Sequence, residues 1–241
     1  MLENMRMLKY LVLFLTVISI LSAGCIGNKK TSQEWVDEGY TLMQGSSYDE
    51  ALQAFDKAIE LDPQNVKAWT GKGTALQYLG RSEEALQAYD KALELNPQDV
   101  WPLILKGYYL REMGRYEEAL QTYDKAIKID PQSGSNWNYK GDTFREMGKY
   151  EEALQAYDKG LELAPLSVND WISKGNILLE IGRYEEALQT YEQAIAQSQV
   201  VLQESGQAWY GAGNALNAMG KYDEAQACYN KARELGFQWD S

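Results

Sequence analysis

The chain has no histidine, two cysteines and five prolines among its 241 residues. Without histidine, a Ser-His-Asp or Cys-His nucleophile system, a histidine metal site and a histidine pH switch are all excluded. Cys25 and Cys228 lie far apart in the sequence, and two cysteines make no disulfide framework. Positive charge is scarce too: 23 Lys+Arg against 35 Asp+Glu leave a formal net charge of −12. That balance argues against nucleic acid as a partner, because affinity for a phosphate backbone rests largely on clustered Lys and Arg. The longest apolar run covers residues 11–23, short of the roughly 20 residues that a membrane-spanning helix needs. Core material is plentiful: at 45% apolar and 12% aromatic, the composition is that of a folded domain.

The first 24 residues read as an address and not as fold. Arg6 and Lys9 precede the apolar run, which leads into Leu21-Ser22-Ala23-Gly24-Cys25. This ending resembles a prokaryotic lipobox, although Ser22 stands where that pattern usually has leucine and Leu21 lies one place further out. The resemblance implies cleavage before Cys25, lipid on its sulfur, and a protein anchored in the cell membrane facing outside the cytoplasm. Ordinary secretion or an uncleaved anchor helix, and an inert thiol, are the competing readings of Cys25. Residues 25–31 have no apolar period and read as a short tether, with Lys29 and Lys30 placed beside lipid head groups.

Beyond the tether the sequence repeats. Trp35, Trp69, Trp137, Trp171 and Trp209 are spaced mostly at 34 residues or twice that. Each is followed four residues later by a glycine: Gly39, Gly73, Gly141, Gly175 and Gly213. Leu103 and Gly107 keep the register where the tryptophan is missing. An alanine then recurs, at Ala51, Ala85, Ala119, Ala153, Ala187 and Ala225, with an aromatic four residues on, at Phe55, Tyr89, Tyr123, Tyr157, Tyr191 and Tyr229. Pro63, Pro97, Pro131 and Pro165 close four of the repeats.

These residues resemble the tetratricopeptide repeat (TPR), in six copies beginning at Ser32, Val66, Val100, Gly134, Val168 and Gly206 and covering residues 32–241. The resemblance implies an all-α fold, a right-handed superhelical solenoid of antiparallel helix pairs, A then B. Glycine and alanine remove side chains where the two helices cross, and the aromatics fill the wedges beside that contact. Turns such as Gly114-Arg115 end helix A, and the closing proline stops helix B. Two departures stand out. The step from Trp171 to Trp209 is 38, and four extra residues, about one helical turn, predict that helix B of repeat five runs on through Gln197 to Gln203 and stops near Ser205-Gly206. In repeat six, Gln226 and Arg233 replace aliphatics found in the other five, such as Leu52 and Ile59. Polar residues there predict a face that meets water and ends the array without an added capping helix.

Catalytic signatures are absent. The glycines are spread through the repeats with no phosphate loop, and no metal-ligand spacing or calcium loop occurs, so no cofactor is expected. The paired carboxylates Glu83-Glu84, Glu117-Glu118, Glu151-Glu152 and Glu185-Glu186 each begin a helix B, where negative charge meets the positive helix end. No enzyme is expected.

Function is therefore sought on the groove, which the resemblance places at helix A positions two, five, nine, twelve and thirteen. The candidate contact residues are Tyr40, Tyr78, Trp101, Tyr108, Arg111, Asn138, Arg145, Asn176 and Asn214. The first half is aromatic and offers rigid contact area; the second is amide-rich and suits the backbone of an extended peptide. The alternative is that the tyrosines belong to the repeat packing, the asparagines solvate the face, and the protein is an envelope scaffold that leaves its groove empty. The carboxylate clamp of chaperone-binding relatives is missing, since Val36, Tyr40, Gly71, Trp101 and Leu105 stand at its places. A ladder of Lys72, Lys106, Lys140 and Lys174 precedes the helix A glycines. It reads either as packed stems with solvated ammonium groups or as a basic stripe for acidic ligands.

Overall fold

The structure is a computed structural model that describes residues 30–198 and 202–238, with residues 202–204 described in backbone only. The signal segment and Cys25 lie outside the described residues. The described residues form twelve helices and no strands. In chain order they are α1 (Ser32–Gln44), α2 (Tyr48–Leu61), α3 (Val66–Tyr78), α4 (Ser82–Leu95), α5 (Val100–Glu112), α6 (Tyr116–Ile129), α7 (Gly134–Glu146), α8 (Tyr150–Leu163), α9 (Val168–Glu180), α10 (Tyr184–Gln197), α11 (Leu202–Ala218) and α12 (Tyr222–Glu234). Odd-numbered helices are the A helices of the repeat and even-numbered ones the B helices.

The helix ends follow from local chemistry. Thr31 and Glu34 form a capping box on α1, and the Asn65 and Asp99 side chains accept backbone N–H groups of α3 and α5. At the far end of α5, Gly114 takes a left-handed φ of 71°, and the Arg115 N–H donates to the Leu110 carbonyl at 2.9 Å. That geometry closes the helix and is open to glycine at little steric cost. Each B helix that precedes a closing proline stops two residues before it, at Leu61, Leu95, Ile129 and Leu163. The indole N–H groups of Trp69 and Trp171 then donate to the Pro63 and Pro165 carbonyls at 3.0 and 2.9 Å, which ties α3 and α9 to the proline turns before them.

The chain divides into two compact units, residues 1–92 and 93–241, with the division inside α4. In the first unit α1 packs on α2, α2 on α3, and α1 on α3. In the second, each helix from α5 to α12 packs on the next, and the A helices also touch, α5 on α7 and α9 on α11. Both cores obey one rule. The repeat alanines Ala51, Ala85, Ala119, Ala153 and Ala187 are fully buried, and the ring four residues later lies against the helix A glycine. A β-carbon on Gly73 would fall 2.7 Å from the ring of the fully buried Tyr89. Gly73→Leu is therefore expected to overpack this contact and cost about 1–3 kcal/mol. Urea unfolding checks it, and an unchanged midpoint would refute the helix-crossing role.

The structure corrects one expectation about the period. Helix α10 stops at Gln197, with Ser198 as its C-cap, and has the 14 residues of the other B helices. The extra turn belongs to the next A helix: α11 has 17 residues where the other A helices have 13, and it runs through Ser205 and Gly206. Residues 199–201, through which helix B was expected to continue, lie outside the described residues. A whole added turn keeps phase on either helix, so spacing alone does not assign it. Gln226 and Arg233 are exposed, as their polarity predicts.

Candidate functional site

The candidate contact residues fall on both units. In the first, Tyr40 is half-buried with its ring edge-on to Phe55 at 5.2 Å, and Tyr78 is 59% exposed and stacked on Tyr48 at 4.6 Å. In the second, the spacing 101, 108, 111, 112 places one row of side chains on one side of α5. Trp101 is 59% exposed and Tyr108 38%. The Arg111 guanidinium covers the Tyr108 ring at 4.9 Å. It is only 9% exposed and sits 3.4 Å from Asp142, 3.4 Å from Glu146 and 3.7 Å from Glu112. Burial opposes its charge, but Glu146, Tyr123, Asp142 and Glu112 together outweigh that and hold its pKa above the ordinary value. Arg145, more exposed, lies 4.0 Å from Asp142.

Asn138 is not displayed as a groove residue. It is 9% exposed and packed so closely on α8 that a β-carbon at Gly160 would fall 2.0 Å from its Oδ1, which has no partner. Its side chain also hydrogen-bonds Asp170, whose carboxyl burial pushes above the ordinary range. Asn176 and Asn214 reach the face, but each side-chain carbonyl already accepts a tyrosine hydroxyl, from Tyr191 at 2.7 Å and Tyr229 at 3.0 Å. Their amide N–H groups and the second lone pair of each carbonyl remain for a partner.

Those two bonds belong to a rule that the sequence analysis did not find. The residue at helix A position nine accepts the hydroxyl of the helix B tyrosine 15 residues later: Thr74 from Tyr89, Asp142 from Tyr157, Asn176 from Tyr191 and Asn214 from Tyr229. A buried hydroxyl needs such a partner. Where the ring is Phe55, position nine is an aromatic, Tyr40. In repeat three it is Tyr108, and the buried Tyr123 hydroxyl has no partner. The signal is present in the sequence as Thr, Asp or Asn 15 positions before four of the five helix B tyrosines, readable once the ring is known to point there.

The lysine ladder resolves into packing. Lys72, Lys140 and Lys174 pair with Asp56, Asp124 and Asp158 of the preceding B helix at 2.7, 2.6 and 2.5 Å. Their ammonium groups lie 5.6–5.8 Å from the rings of Trp69, Trp137 and Trp171. Lys30 of the tether pairs with Glu38 and covers Trp35 at 4.3 Å. Among the described residues no group of His, Cys, Asp and Glu could hold a metal ion. The arrangement on α5 and α7 offers flat aromatic surface beside a polar, charge-compensated floor, which is chemistry for contact.

Comparison with known proteins agrees with this geometry. Three family models described as tetratricopeptide repeat match residues 36–100, 76–140 and 170–236. A fourth, described as anaphase-promoting complex, cyclosome, subunit 3, matches residues 112–194. Comparison with curated proteins finds no significant match. Among solved structures, PilF of Pseudomonas aeruginosa is similar with TM-score 0.68 at 20% identity, over 85% of this chain and 91% of that one. PilW, a type IV pilus biogenesis factor, gives TM-score 0.69 at 19% identity, over 84% and 92%. YrrB, titled a TPR protein with an unusual peptide-binding site, gives 0.57 at 23% identity, over 76% and 93%. The repeat spacing, the paired helices and these likenesses converge: the chain is a tetratricopeptide-repeat protein.

Proposed function

We propose that the protein is a non-catalytic binding protein, held at the outer side of the cell membrane by lipid on Cys25, that recognises a protein or extended peptide with the A-helix face of residues 93–241. Trp101 and Tyr108, both exposed on one side of α5, carry this reading. Large exposed aromatics, one of them covered by a buried arginine, are what interface cores are made of. YrrB, of the same fold, is titled for a peptide-binding site, which supports peptide recognition here. The scaffold reading has one observation in its favour, the engagement of the Asn176 and Asn214 carbonyls by tyrosines.

A photoreactive amino acid at position 101, irradiated in intact cells, separates the two. The expected result is a discrete protein adduct that disappears when Tyr108→Ala is added. A scaffold that leaves this face empty gives no adduct, while its assembly contacts survive the substitution. Membrane fractionation of wild type and Cys25→Ala tests the anchor: release of the variant is expected, and retention in the membrane would exclude lipid on this cysteine.

A further inference from the structure

Three lysines of the ladder, Lys72, Lys140 and Lys174, sit in the same setting. Each ammonium pairs with the acid of the preceding B helix near the tryptophan ring of its own A helix. A second acid stands nearby in the following B helix. Glu84 and Glu186 are held below the ordinary carboxylate range first by hydrogen bonds from Arg81 and Arg183, and further by the charges of Lys72 and Lys174. At Lys72 and Lys174 the site is thus two carboxylates answered by one lysine and one arginine, and at Lys140 the place of the arginine is taken by Lys149.

At the junction of α10, α11 and α12 the carboxylates remain but the ladder lysine does not. Glu192 occupies the place of Asp56, Asp124 and Asp158, Glu224 that of Glu84 and Glu186, and Trp209 that of the tryptophans. Ala212 replaces the lysine. Lys221 replaces the arginine, and neither Glu192 nor Glu224 makes an ion pair among the described residues. The result is a cleft of about 430 Å³ walled by Leu188, Trp209, Leu216 and Cys228 with both carboxylates on its lining. The matching cleft one repeat earlier, where Lys174 and Arg183 form part of the wall, holds about 260 Å³. Burial pushes the Cys228 thiol up, and Glu224 and Glu192 push it further, as two uncompensated negative groups beside it would.

We propose that this cleft is a docking site for a lysine side chain of a partner protein, whose stem takes the apolar wall and whose ammonium takes the place that Lys72, Lys140 and Lys174 occupy in the other repeats. The occupant is set by complementarity: an apolar channel suits the lysine stem, an indole face and two carboxylates suit a compact cation, and the volume lies in the range of about 300–1,000 Å³ that holds small ligands. The site is separate from the A-helix face of α5 and α7 and stands whether or not that face binds a peptide.

The test is an NMR titration of the full chain with Nα-acetyl-lysine-N-methylamide and with its norleucine counterpart. The lysine probe is expected to shift the Trp209 indole N–H and the Ala212 methyl, and to bind about tenfold more tightly than norleucine. Glu192→Gln should remove that preference. Ala212→Lys, which restores the residue found in four other repeats, should abolish the shifts while leaving the helical circular dichroism and melting temperature undiminished. Equal binding of norleucine would reduce the site to an apolar cleft and overturn the proposal. So would lysine-induced shifts confined to Tyr108 and Arg111, concentration-dependent pairing of two copies that Ala212→Lys abolishes without any lysine shift, or no shift at all. Photo-adduct formation at position 101 reads the other face, so the two readings fail separately.

Discussion

Tyr191→Ala is expected to destabilise the second unit by about 3–5 kcal/mol, the cost of emptying an aromatic site in a core. The upper half of that range applies because the ring is fully buried and faces glycine on two sides: β-carbons at Gly175 and Gly211 would fall 2.7 and 2.4 Å from it. Neither glycine has a side chain that could move into the space. A paired control isolates the hydroxyl. Tyr191→Phe strands the Asn176 carbonyl bond of 2.7 Å and should cost about 1 kcal/mol. Tyr123→Phe removes a buried hydroxyl that has no partner and should be neutral or stabilising. Urea unfolding of the three variants reads all of this. Equal losses for the two phenylalanine variants would show that position nine does not hold the tyrosine.

Arg111→Met is expected to cost about 3 kcal/mol. Among the described residues the guanidinium is the only cation within 4.0 Å of Glu146, and it also lies within 4.0 Å of Asp142 and Glu112. Methionine keeps the stem contacts and leaves clustered negative charge. Loss of one partner from a buried pair costs about 3–5 kcal/mol, and the lower end applies because Asp142 and Glu146 remain 30% and 31% exposed and are partly screened. Asp142→Asn added to Arg111→Met should recover part of the loss, a coupling that a double-mutant cycle measures. A single variant within 0.5 kcal/mol of wild type, the ordinary scatter of surface changes, would mean that the cluster is merely solvated.

How much of this was legible in the sequence differs by residue. The A-helix starts at Ser32, Val66, Val100, Gly134 and Val168 coincide with the sequence register, because caps, glycines and prolines act on their own few neighbours. The groove residues were less legible. Trp101 and Tyr108 are exposed as a contact surface requires, but Asn138 packs under Gly160, and Asn176 and Asn214 satisfy tyrosines. A polar side chain on a helix face gives no sign in one sequence of whether it meets solvent or a hydroxyl from the next helix.

The sequence by itself determined the repeat, the pairing of helices and the glycine–aromatic contact, since these recur at fixed spacing and depend on local backbone and side-chain volume. Tertiary structure decided everything that depends on which groups meet across helices. It assigned the extra turn to α11, joined position nine to the tyrosine 15 residues on, and matched three lysines to acids 16 residues back. Through that match it exposed the two carboxylates beside Ala212 that no lysine among the described residues answers. The physical reason is common to all of them: burial and charge compensation are properties of neighbourhoods, and neighbourhoods exist only once the helices have packed.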